Sequence, residues 1–239
     1  MTDSEKLVQI AERMPEVYNA GQKSEYDRFW DAYQDNGNRR NYANGFVREG
    51  WRSENFKPKY PIIATGDASY MFDGSRIGNW DTPDFDFVER GIELDVRGAT
   101  SLTYMFRNCH GIKRVGVIDG TGCKDLNRLF YTSGIDTIDE LRLAENVTFD
   151  NTFASANLLK NITISGEIGN SINFLQSPLT PESMISVITH LQYTSDLGVK
   201  TVYFSDSCWA ALESSGIENP IPDICSSWKQ YVSYLGWSY

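Results

Sequence analysis

Three carboxylates, Asp81, Asp84 and Asp86, stand two or three residues apart among the aromatic residues Trp80, Phe85 and Phe87. Two carboxyl groups held about 5–9 Å apart could hydrolyse a glycosidic bond, and a set of oxygen ligands on one loop could hold calcium. The spacing is not that of an EF-hand, and no second feature of a hydrolase accompanies it. The expectation is a surface loop, Trp80, Asp81, Asp84, Phe85 and Asp86, that contacts a ligand, because loops carried on a rigid scaffold are where recognition concentrates.

Other candidates for chemistry are weaker. Cys109 next to His110 suggests thiol catalysis, but a reactive thiolate needs an accessible, electropositive setting. Gly120-Thr121-Gly122-Cys123-Lys124 approaches a phosphate-binding loop without its G-x-x-x-x-G-K-[ST] spacing, and no G-x-S-x-G elbow is present. The four cysteines form no C-x-x-C pair, and the two histidines are far apart in sequence, so zinc ligation is not expected. No catalytic residue, metal or cofactor is expected, and Cys109 and the Gly120–Lys124 segment are read as packing and turn elements. Buried, reduced thiols are the default, with pairing of Cys208 and Cys225 left open for an oxidising medium.

The formal net charge of −10 leaves no basic stripe for nucleic acid or for an anionic membrane surface. No apolar run approaches the roughly 18 residues needed to span a bilayer. The start, Met1-Thr2-Asp3-Ser4-Glu5, has no export-signal character, so synthesis in a cytosol, with release by lysis, is expected.

What must position the candidate loop is a repeat. Phe72, Phe106, Phe130 and Phe153 are spaced by 34, 24 and 23 residues. A small residue stands three positions after each: Ser75, Cys109, Ser133 and Ala156. Apolar residues follow Phe106 at Ile112, Val115 and Val117, and follow Phe153 at Leu159, Ile162 and Ile164. The Phe130 unit carries a slipped version, Ile135, Ile138, Leu141 and Leu143, and the first unit an insertion from Trp80 to Gly91. Each unit closes on a period-2 stretch that reads as a half-buried strand. A coil of this length cannot bury its apolar positions alone, whereas stacking coils places Phe on Phe. Strands at Ile92–Val96, Val115–Val117, Leu141–Leu143 and Ile162–Ile164 are expected in one parallel sheet.

The expected fold class is α+β: a short leucine-rich-repeat-like β-solenoid of about four rungs, with an N-terminal helical hairpin and a C-terminal α/β cap. Residues 1–37 form the helical segment. Leu7, Ile10, Met14 and Val17 share one helix face suited to docking or self-association, and Tyr26, Phe29, Trp30 and Tyr33 share another. Residues 38–63 read as an aromatic connector, 64–176 as the solenoid and 177–239 as the cap. The cap should contain a helix from Thr180-Pro181, a strand near 199–204, helices near 206–214 and 226–235, and a short terminal strand.

The stretch Tyr104-Met105-Phe106-Arg107-Asn108-Cys109-His110-Gly111-Ile112 resembles the repeats of BspA-like leucine-rich-repeat surface proteins. Ser177-Pro178-Leu179-Thr180-Pro181-Glu182-Ser183-Met184-Ile185, with Leu235-Gly236-Trp237, is similar to the tail that follows such repeats in proteins of bacterial viruses and prophages. The leader from Lys6-Leu7 to Phe29-Trp30-Asp31 resembles that of the same phage-associated subgroup. The resemblance implies a non-enzymatic virion structural protein on a tail, baseplate or head surface. Its implied partners are other virion proteins, copies of itself, and a host-surface glycan or protein. The alternative is a bacterial adhesin or intracellular scaffold.

Overall fold

Six phenylalanine rings form one internal column. Phe72, Phe106, Phe130, Phe153, Phe174 and Phe204 stack in chain order, with successive centroids 5.2, 5.3, 6.0, 4.5 and 5.8 Å apart and planes within 22° of parallel. All six are buried. Burial of each ring stabilises by about 1.5–3 kcal/mol, and each stacked pair adds about 0.5–1.5 kcal/mol. The structure is a computed structural model and describes residues 62–74, 84–195 and 199–239, all within one unit, Arg39–Tyr239.

The chain coils around this column as a parallel-strand β-solenoid of about three turns with few helices. Its strands are β1 (Ile62–Asp67), β2 (Phe85–Asp86), β3 (Leu94–Ser101), β4 (Ile112–Gly120), β5 (Thr137–Leu143), β6 (Asn161–Ser165), β7 (Ile172–Phe174) and β8 (Val202–Phe204). All pairing between them is parallel, in three groups: β1–β3, β2–β4–β5–β6 and β7–β8. The helices among the described residues are α1 (Pro181–Ile188), α2 (Asp206–Ser214) and α3 (Trp228–Tyr234), each with a serine or threonine N-cap.

The turn carrying each column residue has a fixed backbone signature. The residue two before Phe72, Phe106, Phe130 and Phe153 has positive φ (Tyr70, Tyr104, Arg128, Asn151), and so does the residue two after (Gly74, Asn108, Thr132, Ser155). Left-handed non-glycine residues are uncommon and cost about 1–3 kcal/mol each. Hydrogen bonding accounts for their retention. Around Phe106, Met105 and Arg107 donate N–H within the turn to Leu102 and Tyr104. Tyr104, Phe106 and Asn108 donate along the axis to Asn127, Leu129 and Tyr131 of the next coil. With Thr103 N–H on the Ser101 hydroxyl, every main-chain N–H from Leu102 to Cys109 has a partner, as a buried backbone requires.

The strands differ from the expected period of two. Inward positions of β4 are Ile112, Val115 and Ile118, three apart, while Val117 is 41% exposed. Two outward residues sit between inward ones in three strands: Arg97-Gly98, Gly116-Val117 and Asp139-Glu140. Strict alternation returns at β6 and holds in β7 and β8, and at β6 the register against β5 shifts between Ile138 and Leu141. The single expected sheet is also corrected. The strand near residue 94 pairs with β1, and the short β2 lies against β4 in its place.

Beyond β6 a helix takes over from a strand. Ser183 and Ser186 of α1, one helical turn apart, accept the Ile162 and Ile164 N–H groups at 2.9 and 2.8 Å. The edge of the four-stranded sheet is thereby closed by side chains. The column continues past this point through Phe174 and Phe204 into the segment read from sequence as a cap, and Trp209 seats edge-on against Phe204. In that segment the helices and β8 lie close to their expected positions, and the terminal strand is a single bridge from Thr201 to Ser238.

Candidate recognition surface

The insertion in the first coil creates a cleft. After β2 the chain makes a tight turn, with Arg90 N–H on Asp86 carbonyl and Gly91 N–H on Val88 carbonyl, and Ile92 N–H then returns to Phe87 carbonyl. From there β3 runs beside β1, and among the described residues no ladder joins it to β4. The two strands approach only farther along, where a Cβ on Gly122 would lie 2.7 Å from the Ala99 carbonyl oxygen. The wedge left open has a volume of about 420 Å³. Val88, Gly91, Glu93 and Leu94 line one side, and Val115–Ile118 with Asp139 line the other. Val88 and Val117 are 40% and 41% exposed.

Of the carboxylates expected to act here, Asp86 has a structural role. Asp86 is buried and accepts the Glu89 N–H at 2.9 Å, capping the turn. Phe85 and Phe87 are core residues packed edge-on at 5.4 Å, so the expected exposed aromatics are not found at these two positions. The Arg90 guanidinium lies 4.2 Å over Phe85. Asp84 is exposed, with φ of 65°. Trp80 and Asp81 lie outside the described residues, as do Leu7, Ile10, Met14 and Val17. Sequence reading missed Val88, Leu94 and Val117. The available signal was Gly116 beside Val117, a glycine interrupting an apolar strand.

The outward face of the sheet is covered by charge pairs that cross between coils. Arg114 binds Asp139 at 2.7 and 3.1 Å, and Lys160 binds Asp136 at 3.0 Å. Arg142 bridges Glu140 and Asp119 at 2.8 and 3.3 Å. The Arg142 guanidinium and then the Ser165 hydroxyl hold the Glu140 carboxyl below its ordinary value. Thr121 does the same for Asp119, with burial opposing it. On the turn face Tyr70 and Tyr104 stack at 4.7 Å. Arg107 lies 4.5 Å over Tyr104 and is bound by Asp73, so those ring faces are occupied within the protein.

The remaining chemical candidates are structural. Cys109 is buried and its thiol donates to the Phe72 carbonyl at 3.0 Å. Cys123, in the Gly120–Lys124 turn, donates to the Ala99 carbonyl at 3.2 Å, and burial, with Asp119 and Asp125 nearby, pushes its thiol up to about 11. Cys208 and Cys225 are buried free thiols. No group of three or more metal-ligating side chains and no helix able to cross a membrane occurs among the described residues. No family model, curated protein or solved structure matches the chain.

Proposed function

We propose that the chain is a non-enzymatic recognition and structural protein whose coils are a leucine-rich-repeat variant with phenylalanine in the stacking position. The observation that carries this reading is the continuous column from Phe72 to Phe204, which makes a rigid support for surface side chains rather than an enclosed reaction chamber. Likeness of the repeat, leader and tail motifs to phage-associated BspA-like proteins supports a setting on a phage or prophage particle, at the tail, baseplate or head surface. The partners in this reading are other virion proteins, further copies of the chain through Leu7, Ile10, Met14 and Val17, and a host-surface protein or glycan. An adhesin or scaffold outside any particle is the second reading, favoured by the same repeat motif.

Induction of lysis followed by density-gradient purification of particles and peptide mass spectrometry separates the two. The chain should band with particles at constant ratio to a capsid protein. A chain recovered only in the particle-free fraction supports the second reading.

A further inference from the structure

We infer that the cleft between β3 and β4 is a docking site for an extended peptide segment of a partner protein, presenting an aliphatic side chain beside a lysine or arginine. This rests on the reading of the chain as a recognition scaffold and names what it recognises. Three observations converge on the cleft. First, β4 between Val115 and Ile118 has β5 on one side, and among the described residues no ladder on the side facing β3. An exposed strand edge is the usual site at which an extended peptide adds its main chain. Second, the walls are aliphatic: Val88 and Val117 stand 40% and 41% exposed with Leu94 beside them. Gly116 keeps the floor low, where an added Cβ would meet only the Val88 methyl at 3.5 Å. The volume of about 420 Å³ suits one or two side chains, at the small end of the roughly 300–1,000 Å³ range of binding pockets.

Third, both charged residues of the cleft lining, Glu93 and Asp139, are acidic. Glu93 is exposed and has no ion-pair partner among the described residues, while Glu89 and Arg90 of the adjacent turn carry opposite charges. Asp139 is already neutralised by Arg114, as Asp95 is by Arg97. The un-neutralised Glu93 carboxylate selects a basic group and repels an acidic one. A sugar is the poorer fit. Among the described residues the only aromatic side chain in the lining is Phe87, which is 1% exposed, so none of them offers an open ring face for stacking.

The test titrates the isotopically labelled full chain with blocked pentapeptides alternating lysine with valine, lysine with serine, and glutamate with valine, followed by amide NMR shifts. The lysine–valine peptide should give saturable shifts centred on Gly116, Val117 and Leu94, weakened as salt rises. Glu93→Gln should weaken it roughly twofold to fivefold, and Val117→Ser roughly tenfold, with spectra otherwise unchanged. Equal response to the glutamate peptide, indifference to both substitutions, or no saturation by millimolar peptide overturns the assignment, as does a maltohexaose titration that shifts the same amides. A double variant that loses the peptide but still bands with particles removes the cleft's assignment from that association while leaving the scaffold reading in place.

Discussion

Phe153 and Phe174 stack at 4.5 Å, the shortest interval of the column, and they do so where the four-stranded sheet ends and α1 closes its edge. The aromatic stack, not the hydrogen-bonded sheet, is therefore the element continuous from the first coil to the last. A linear array of this kind derives its stability from nearest-neighbour contacts, and a ring in the middle couples two halves. Phe174→Ala should cost about 3–5 kcal/mol and lower the midpoint of a single urea transition monitored by circular dichroism. If the C-terminal segment were independent, two transitions would be seen and only the second would move.

The two serines of α1 make a separate contribution. Ser183 and Ser186 accept N–H groups that a further strand would otherwise satisfy. Losing an acceptor from a buried N–H costs about 1–3 kcal/mol. Ser183→Ala should cost more than Ser186→Ala, because the Ser183 bond is buried and the other only partly so. Hydrogen exchange should accelerate at Ile162 in the first variant and Ile164 in the second. Unchanged protection at both amides would mean that the edge is closed by something other than these hydroxyls.

Residue spacing makes the column legible, because a buried ring every 23 or 24 residues has one economical explanation. It extends further than that spacing suggests: Phe174, with Ser177 three residues on, repeats the earlier pattern at an interval of 21. Strand orientation is not legible. A pair of outward residues such as Gly116-Val117 is marked only by its glycine and otherwise matches ordinary alternation, so Val117 is assigned inward and Ile118 is missed. The left-handed positions are hidden for a similar reason, since tyrosine and arginine are not residues that announce positive φ. Phe85 and Phe87 mislead because their acidic neighbours suggest an exposed loop, whereas Asp86 between them is itself buried as a turn cap.

Ser133 is a defect in the row of small residues beside the column. Cys109 donates to Phe72 and Ser177 donates to Ala156, but the Ser133 hydroxyl is buried without a partner among the described residues. A buried unsatisfied polar group costs about 1–3 kcal/mol. Ser133→Ala should therefore raise stability by about 1 kcal/mol, while Cys109→Ala should lower it, since that thiol is bonded and packed. Urea midpoints at neutral pH measure both. A destabilised Ser133→Ala protein would mean that the hydroxyl does find a partner in solution.

Cys123 makes stability depend on pH in the alkaline range. Its thiol is pushed from 9.0 to about 11, first by burial and then by Asp119 and Asp125. Between those values the unfolded chain releases the proton and the folded chain keeps it. The folded state then binds more protons, so unfolding becomes easier as pH rises. The effect is absent below pH 9, reaches roughly 2 kcal/mol by pH 10.5, and levels off above pH 11. Tyr231, also raised by burial, acts in the same direction, so the measurement must be a difference. Cys123→Ala removes only the thiol's share: the variant should start less stable at pH 7.5, from the small cavity it leaves, but lose less stability on moving to pH 10.5. Parallel loss in the two proteins would show that the thiol ionises equally in both states, and the burial assigned to Cys123 would be wrong.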